Sequence, residues 1–205
     1  MGDESDRARP CWLLSDFAGV LARHQPEADR RRMAAVADAE FAPFWTAYWS
    51  ERDAYDTGSV SRDEYWTKVA ARLGAGWSPC RIATLDALDV DSWLYPDHET
   101  LSVVGDAVAA GMRLAVLSNA PLSLAAALRG LTWLAPFEHV ICSSEIRAAK
   151  PGADCYRTAL GVLGAGPADV VFVDDREANV TGARALGIRS VLFSGASGLS
   201  RALSV

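Results

Sequence analysis

The chain has 205 residues, half of them apolar and 22% charged, which gives it room for one full domain with a modest insertion and a sizeable core. A formal net charge of −6 disfavours nucleic acid as a partner, because the one basic run, Arg30-Arg31-Arg32, is diluted by Asp29 and Asp38. The four cysteines, Cys11, Cys80, Cys142 and Cys155, never form a Cys-x-x-Cys pair, so neither a zinc site nor a disulfide framework is expected and a reducing, cytoplasmic setting is. The opening Met1-Gly2-Asp3-Glu4-Ser5-Asp6 is acidic where a secretory leader is basic, and the apolar stretch after it is too short to cross a bilayer, so no membrane is expected either.

The first apolar run, Cys11-Trp12-Leu13-Leu14, is short and apolar throughout, which predicts a parallel strand buried on both faces. Residues 23–97 behave differently. They carry helical patterns over 33–49, 62–73 and 80–88 with no convincing strand, and so predict an inserted all-helical unit, with 1–22 and 98–205 forming the main domain. Trp45, Trp49, Trp66, Trp77 and Trp93 fall inside that unit, either to fill its small core or to line a pocket facing the larger domain. Beyond it, strands are predicted at 113–117, 139–142, 170–173 and 190–193. Leu101, Val104 and Val108 recur at helical spacing and stop at Gly111; Tyr156, Ala159, Leu160 and Leu163 do the same and stop at Gly164. The tail from 195 carries Leu199, Ala202 and Leu203 in loose helical spacing. Alternation of this kind predicts βαβ units, hence an α/β fold around a parallel sheet.

Polar residues end the strands. Asp16 follows the first, Ser118-Asn119 the second, Lys150-Pro151 comes after the third, and Asp174-Asp175 follow the fourth. The carboxyl edge of such a sheet is where ligands bind. Taken singly, Asp16 is equally a turn former, Lys150 a surface charge, and one of the paired acids a cap for the helix near Glu177. Together, Asp16, Asp174 and Asp175 make an oxygen-rich set suited to Mg²⁺, since adjacent carboxylates are costly to desolvate without a cation. Lys150 is the cation able to balance a nucleophilic carboxylate and an incoming phosphoryl group, and Pro151 is placed to begin the helix carrying Tyr156.

The ordered set Asp16-Phe17-Ala18-Gly19-Val20-Leu21, Ser118-Asn119, Lys150-Pro151 and Asp174-Asp175-Arg176-Glu177-Ala178-Asn179 resembles the haloacid dehalogenase-like (HAD) superfamily over roughly residues 12–193. The resemblance implies a Rossmann-like three-layer core with a helical cap inserted after the first motif. It implies a Mg²⁺-dependent phosphatase acting on a small phosphorylated metabolite, with Asp16 as nucleophile, Ser118 at the phosphoryl oxygens, Asn119 as a supporting polar group on the substrate-binding side and Lys150 between nucleophile and substrate. Asp16, the carbonyl of Ala18 and Asp175 would hold the metal, with Asp174 ligating directly or through water and Asn179 in support.

One position departs from the pattern. Phosphatases of the superfamily carry a second Asp, the general acid and base, where this chain has Ala18. Such a group is typically worth about 10² to 10⁴ in rate. Three readings follow: a phosphatase that tolerates the gap, a binding or regulatory module with impaired turnover, and a haloacid dehalogenase, in which halide leaves unprotonated. His24 and His98, near the two joins of cap and core, are candidate replacement acids, and Arg176 a candidate substrate contact.

Overall fold

The computed structural model describes residues 11–203, so the acidic opening read above for targeting lies outside the described residues. Five parallel strands form one sheet: β1 (Trp12–Ser15), β2 (Arg113–Ser118), β3 (His139–Cys142), β4 (Val170–Asp174) and β5 (Arg189–Leu192), in the order β3-β2-β1-β4-β5. Side chains alternate across this sheet with period two. Leu13, Leu114, Val116, Val171 and Val173 pack on one face and Trp12, Leu14, Ala115, Leu117 and Phe172 on the other. The first face is covered by α6 (His98–Ala109), α7 (Leu122–Leu128) and α11 (Ala196–Leu203), the second by α9 (Ala153–Leu163) and α10 (Glu177–Arg184). The result is a Rossmann-like three-layer α/β fold.

Burial on both faces, expected of every strand, holds for β1 and β4 and nearly all of β2. It fails for β5, where Leu192 is 41% exposed, because that strand is last in the sheet and only one neighbour covers it. Pro151 does not open α9 as expected. Gly152 N–H bonds the Ala149 carbonyl at 2.8 Å, closing a turn that ends before the helix begins at Ala153. Gly164 then stops α9 in the left-handed region, φ +60°.

Between β1 and α6 lie α1 (Glu27–Val36), α2 (Phe41–Ser50), α3 (Arg52–Asp56), α4 (Arg62–Arg72) and α5 (Pro79–Ser92). The pattern expected over 33–49 is two helices, because Asp38 turns the chain at φ +55°. Ser61 and Glu64 close a capping box on α4, and Ser78 caps α5 with Pro79 at its first position. These helices share a core of their own around Met33, Phe44, Tyr48, Tyr65, Trp66 and Leu85. The chain leaves and returns side by side, with Arg23 N–H on the Tyr95 carbonyl at 2.8 Å and Asp97 N–H on the Leu21 carbonyl at 2.9 Å. Trp66 and, nearly, Trp45 and Trp93 are buried, whereas Trp49 is 52% exposed, so both roles weighed for the tryptophans occur.

An ionic knot sits among the helices. Arg52, 3% exposed, reaches Asp56 Oδ1 and Asp89 Oδ2, each at 2.7 Å. The other oxygen of Asp89 accepts from Gln25, Tyr48 and Trp93 at 3.2, 2.6 and 3.1 Å. Removing one partner of such a buried set strands the rest. Asp89→Ala should lower the unfolding free energy by about 3 kcal/mol or more, and Tyr48→Phe, which removes a donor to Asp89 and an acceptor for Arg52 but leaves the Arg52–Asp89 pair intact, by about 1 kcal/mol. Urea unfolding checks both; equal small losses would contradict this account of the knot.

Candidate functional site

Connections run one way from β1 to β2 and the other way from β4 to β5, so the crevice opens where β1 and β4 lie side by side. Asp16 emerges there, its N–H still paired with the Val173 carbonyl at 2.8 Å. Asp16 Oδ1 accepts from Phe17 N–H at 2.6 Å and from Lys150 Nζ at 2.8 Å. That ammonium also reaches Asp174 Oδ2 at 2.7 Å, and the Lys150 side chain is 1% exposed. Lys150 thus bridges the ends of β1 and β4 from inside.

Two asparagines brace this bridge. Asn119 accepts from Lys150 N–H and donates to the Lys150 carbonyl, both at 2.9 Å, so its side chain is committed to holding the lysine's main chain. Asn179 donates to both oxygens of Asp174, at 2.9 and 3.0 Å, and Arg176 N–H adds a bond at 2.9 Å. A carboxylate with this many donors is tied in place. Asp175, half-buried, is freer: its Oδ2 lies 3.2 Å from His24 Nε2. Gly19 makes that approach possible at φ +81°, since a Cβ there would stand 2.3 Å from the same Asp175 oxygen.

Asp16, Asp174 and Asp175 each offer an oxygen, all within 4.8 Å of one another. Three carboxylates against one ammonium leave an excess of two negative charges. Burial pushes Asp16 up to about 7, with Lys150 pulling down and Asp174 pushing further up. Burial also raises Asp175, with Asp174 adding to it. For Lys150 burial acts to lower the ammonium, but Asp16 and Asp174 outweigh it and hold it above its usual range. Such a set fits a divalent cation, whose charge would offset the burial and the added repulsion of Asp174 that favour a proton on Asp16.

The site opens into a cavity of about 460 Å³. Asp16, Ala18, Ser118, Asn119, Lys150 and Asp175 form its floor, and Trp49, Arg52, Asp53, Asp56 and Trp93 come from the helical unit above. Ser118, buried at the end of β2, lines this space. His24 and the exposed Arg176 stand in the cavity wall, while His98 is exposed at the start of α6 and takes no part in it. Trp49 and Trp93 were among the rings weighed as pocket-lining, whereas Arg52, Asp53 and Asp56 were not foreseen. Asp56 belongs to no motif, and its only mark in the sequence is an Arg four residues before it.

A family model described as haloacid dehalogenase-like hydrolase matches residues 13–187. Protein CbbY of Rhodobacter capsulatus is 30% identical over an alignment covering 88% of this chain and 83% of that one. Among solved structures, the HAD family enzyme bt-2542 of Bacteroides thetaiotaomicron has the same fold with a TM-score of 0.73 at 20% identity, covering 89% of this chain and 93% of that one. The L-2-haloacid dehalogenase of Xanthobacter autotrophicus gives a TM-score of 0.70 at 22% identity, covering 95% and 82%. A match along most of the chain, with the polar strand ends gathered at one crevice, makes the protein a member of the haloacid dehalogenase-like hydrolases.

Proposed function

We propose that the protein is a Mg²⁺-dependent phosphatase of small phosphomonoesters that works through an aspartyl-phosphate at Asp16. The observation that carries this reading is the excess of carboxylate: Asp16, Asp174 and Asp175 around the single ammonium of Lys150. An anionic substrate entering alone would meet net repulsion, whereas a cation and a phosphate together neutralise the site. Asp16, Asp175 and the Ala18 carbonyl, which no main-chain donor among the described residues uses, would hold the ion, and Asp174, already filled by Lys150 and Asn179, would act through water. Magnesium, when bound, neutralises phosphoryl oxygens and favours the ionised form of Asp16. The bt-2542 enzyme, solved with magnesium and inorganic phosphate, supports the same reading.

The chain's own residues then divide the work. An oxygen of Asp16 attacks phosphorus and the ester bond breaks. Ser118, which lines the cavity, donates its hydroxyl to a phosphoryl oxygen. Lys150 keeps Asp16 aimed and screens its charge against the incoming dianion, and Asn119 fixes Lys150. Water then releases phosphate from Asp16. A second reading, dehalogenation, is favoured by Ala18 in place of an acid and by the fold's likeness to an L-2-haloacid dehalogenase solved with chloropropionic acid covalently bound.

Phosphate release from small phosphomonoesters should require Mg²⁺ and fall at least about 10³-fold in Asp16→Asn. Metal-independent chloride release from 2-chloropropionate would overturn the phosphatase reading in favour of the second one. Tight ester binding without turnover would instead mark a binding module.

Stability carries the same signature. Asp16 holds its proton to about 7 in the fold against an ordinary 3.8, so the folded, metal-free protein binds that proton more tightly than the unfolded chain. Metal-free stability should therefore fall as pH rises from about 4 to about 7, and Asp56, pushed up to about 6 by burial, adds in the same direction. Mg²⁺ competes with the Asp16 proton. At about 100 times its Kd it should raise the unfolding free energy by about 2.7 kcal/mol at about pH 8 and by far less at about pH 5. Equal thermal shifts at both would contradict a site built on Asp16.

A further inference from the structure

With alanine at position 18, the phosphatase reading leaves the leaving group without a proton donor. The cavity holds few groups that could serve. His24 is turned to Asp175 and its side chain is 70% exposed, and Asp53 is exposed to solvent. Asp56 differs from both. Its side chain is only 15% exposed, yet it lines the same cavity as Asp16, Ser118 and Lys150. Its main chain is pinned to the phosphoryl-binding loop: the Ser143 hydroxyl donates to the Asp56 carbonyl and accepts from Ala120 N–H at 3.0 Å, two residues past Ser118.

We propose that Asp56, reaching down from α3, is the general acid and base that position 18 lacks; the proposal rests on the phosphatase reading. As the bond between phosphorus and the ester oxygen breaks and an oxygen of Asp16 bonds phosphorus, the Asp56 carboxyl gives its proton to the departing alkoxide. The Asp56 carboxylate then takes a proton from the water that attacks phosphorus. Phosphate leaves, and both residues return to their starting states.

The surroundings let Asp56 change state. Arg52 binds it at 2.7 Å but keeps Asp89 whether or not Asp56 is protonated, so no buried charge is stranded. On α3 its charged neighbours are Arg52 and Asp53; α5 adds Asp89; α2 and α4 contribute Tyr48 and Tyr65 beside Arg52. From α8 (Ser143–Ile146) comes the Ser143 hydroxyl, Glu145 being paired with Arg129 at 2.6 Å, and across the cavity stand Asp16 and Lys150. Burial holds Asp56 up to about 6 against the pull of Arg52, the range in which a carboxyl both gives and takes a proton near neutrality.

The test compares two esters under single turnover. An alkyl phosphate needs a proton on its leaving oxygen, and p-nitrophenyl phosphate, with a good leaving group, does not. In Asp56→Asn the alkyl rate should fall about 10²-fold more than the p-nitrophenyl rate, and Ala18→Asp in that background should restore it. Equal losses on both esters, or no loss on either, would overturn the assignment, as would the same selective loss in His24→Asn with Asp56→Asn unaffected. Failure of Ala18→Asp to restore any alkyl rate in a variant that melts like the wild type would also count against it. If the wild type releases phosphate from neither ester, the phosphatase reading itself falls, and this proposal with it.

Discussion

One ammonium buried between two carboxylates sets the terms for the rest of the crevice. The Lys150 side chain is 1% exposed, so its charge must be balanced where it lies, and Asp16 and Asp174 balance it from the ends of adjacent strands. Buried charges of this kind are weak contributors to stability and strict about geometry, because each partner must be filled completely. Asn119 and Asn179 do that filling, one on the lysine's main chain and one on both oxygens of Asp174. With Asp174 occupied in this way, Asp16 and Asp175 are the strand-end carboxylates left to face the cavity.

The helical unit solves a related problem by similar means. Arg52 is as buried as Lys150 and is likewise shared between two acids. The difference is that one of its partners, Asp56, borders the cavity, so the knot that holds α3 in place also holds a carboxyl over the site. Tyr55 strengthens the join, bonding Asp86 at 2.7 Å within the unit and meeting the Ser123 hydroxyl of the main fold at 2.9 Å. Order in the helical unit and the walls of the cavity are therefore linked through α3.

The sheet was legible because parallel strands buried on both sides must be apolar at every position, as Leu13-Leu14 and Val170-Val171-Phe172-Val173 are. The residues at the strand ends were legible for the complementary reason. Asp16, Ser118 and Asp174-Asp175 interrupt those runs where polarity has no structural excuse. What escaped was everything decided by packing between distant segments. The five residues of α3 are too short to show periodicity, and Asp56 reads as an ordinary surface acid until Arg52 and Ser143 are seen around it. The break between α1 and α2 hangs on the backbone of Asp38, which an apolar pattern running on either side conceals. Asn119 looked like a substrate ligand because it follows Ser118, and only the structure shows both ends of its amide turned to Lys150.

The central claim is that the Lys150 charge, and not merely its bulk, organises the crevice. The direct measurement is the urea-unfolding free energy of metal-free Lys150→Met against that of the wild type across pH, since methionine keeps the length of the side chain and removes its charge. The account predicts a gap that widens from about pH 5 to about pH 8, reaching about 3 kcal/mol or more as Asp16 is forced to ionise without its ammonium partner. A gap that stays constant with pH would contradict it, leaving Lys150 as a packing residue and the site without its organising charge.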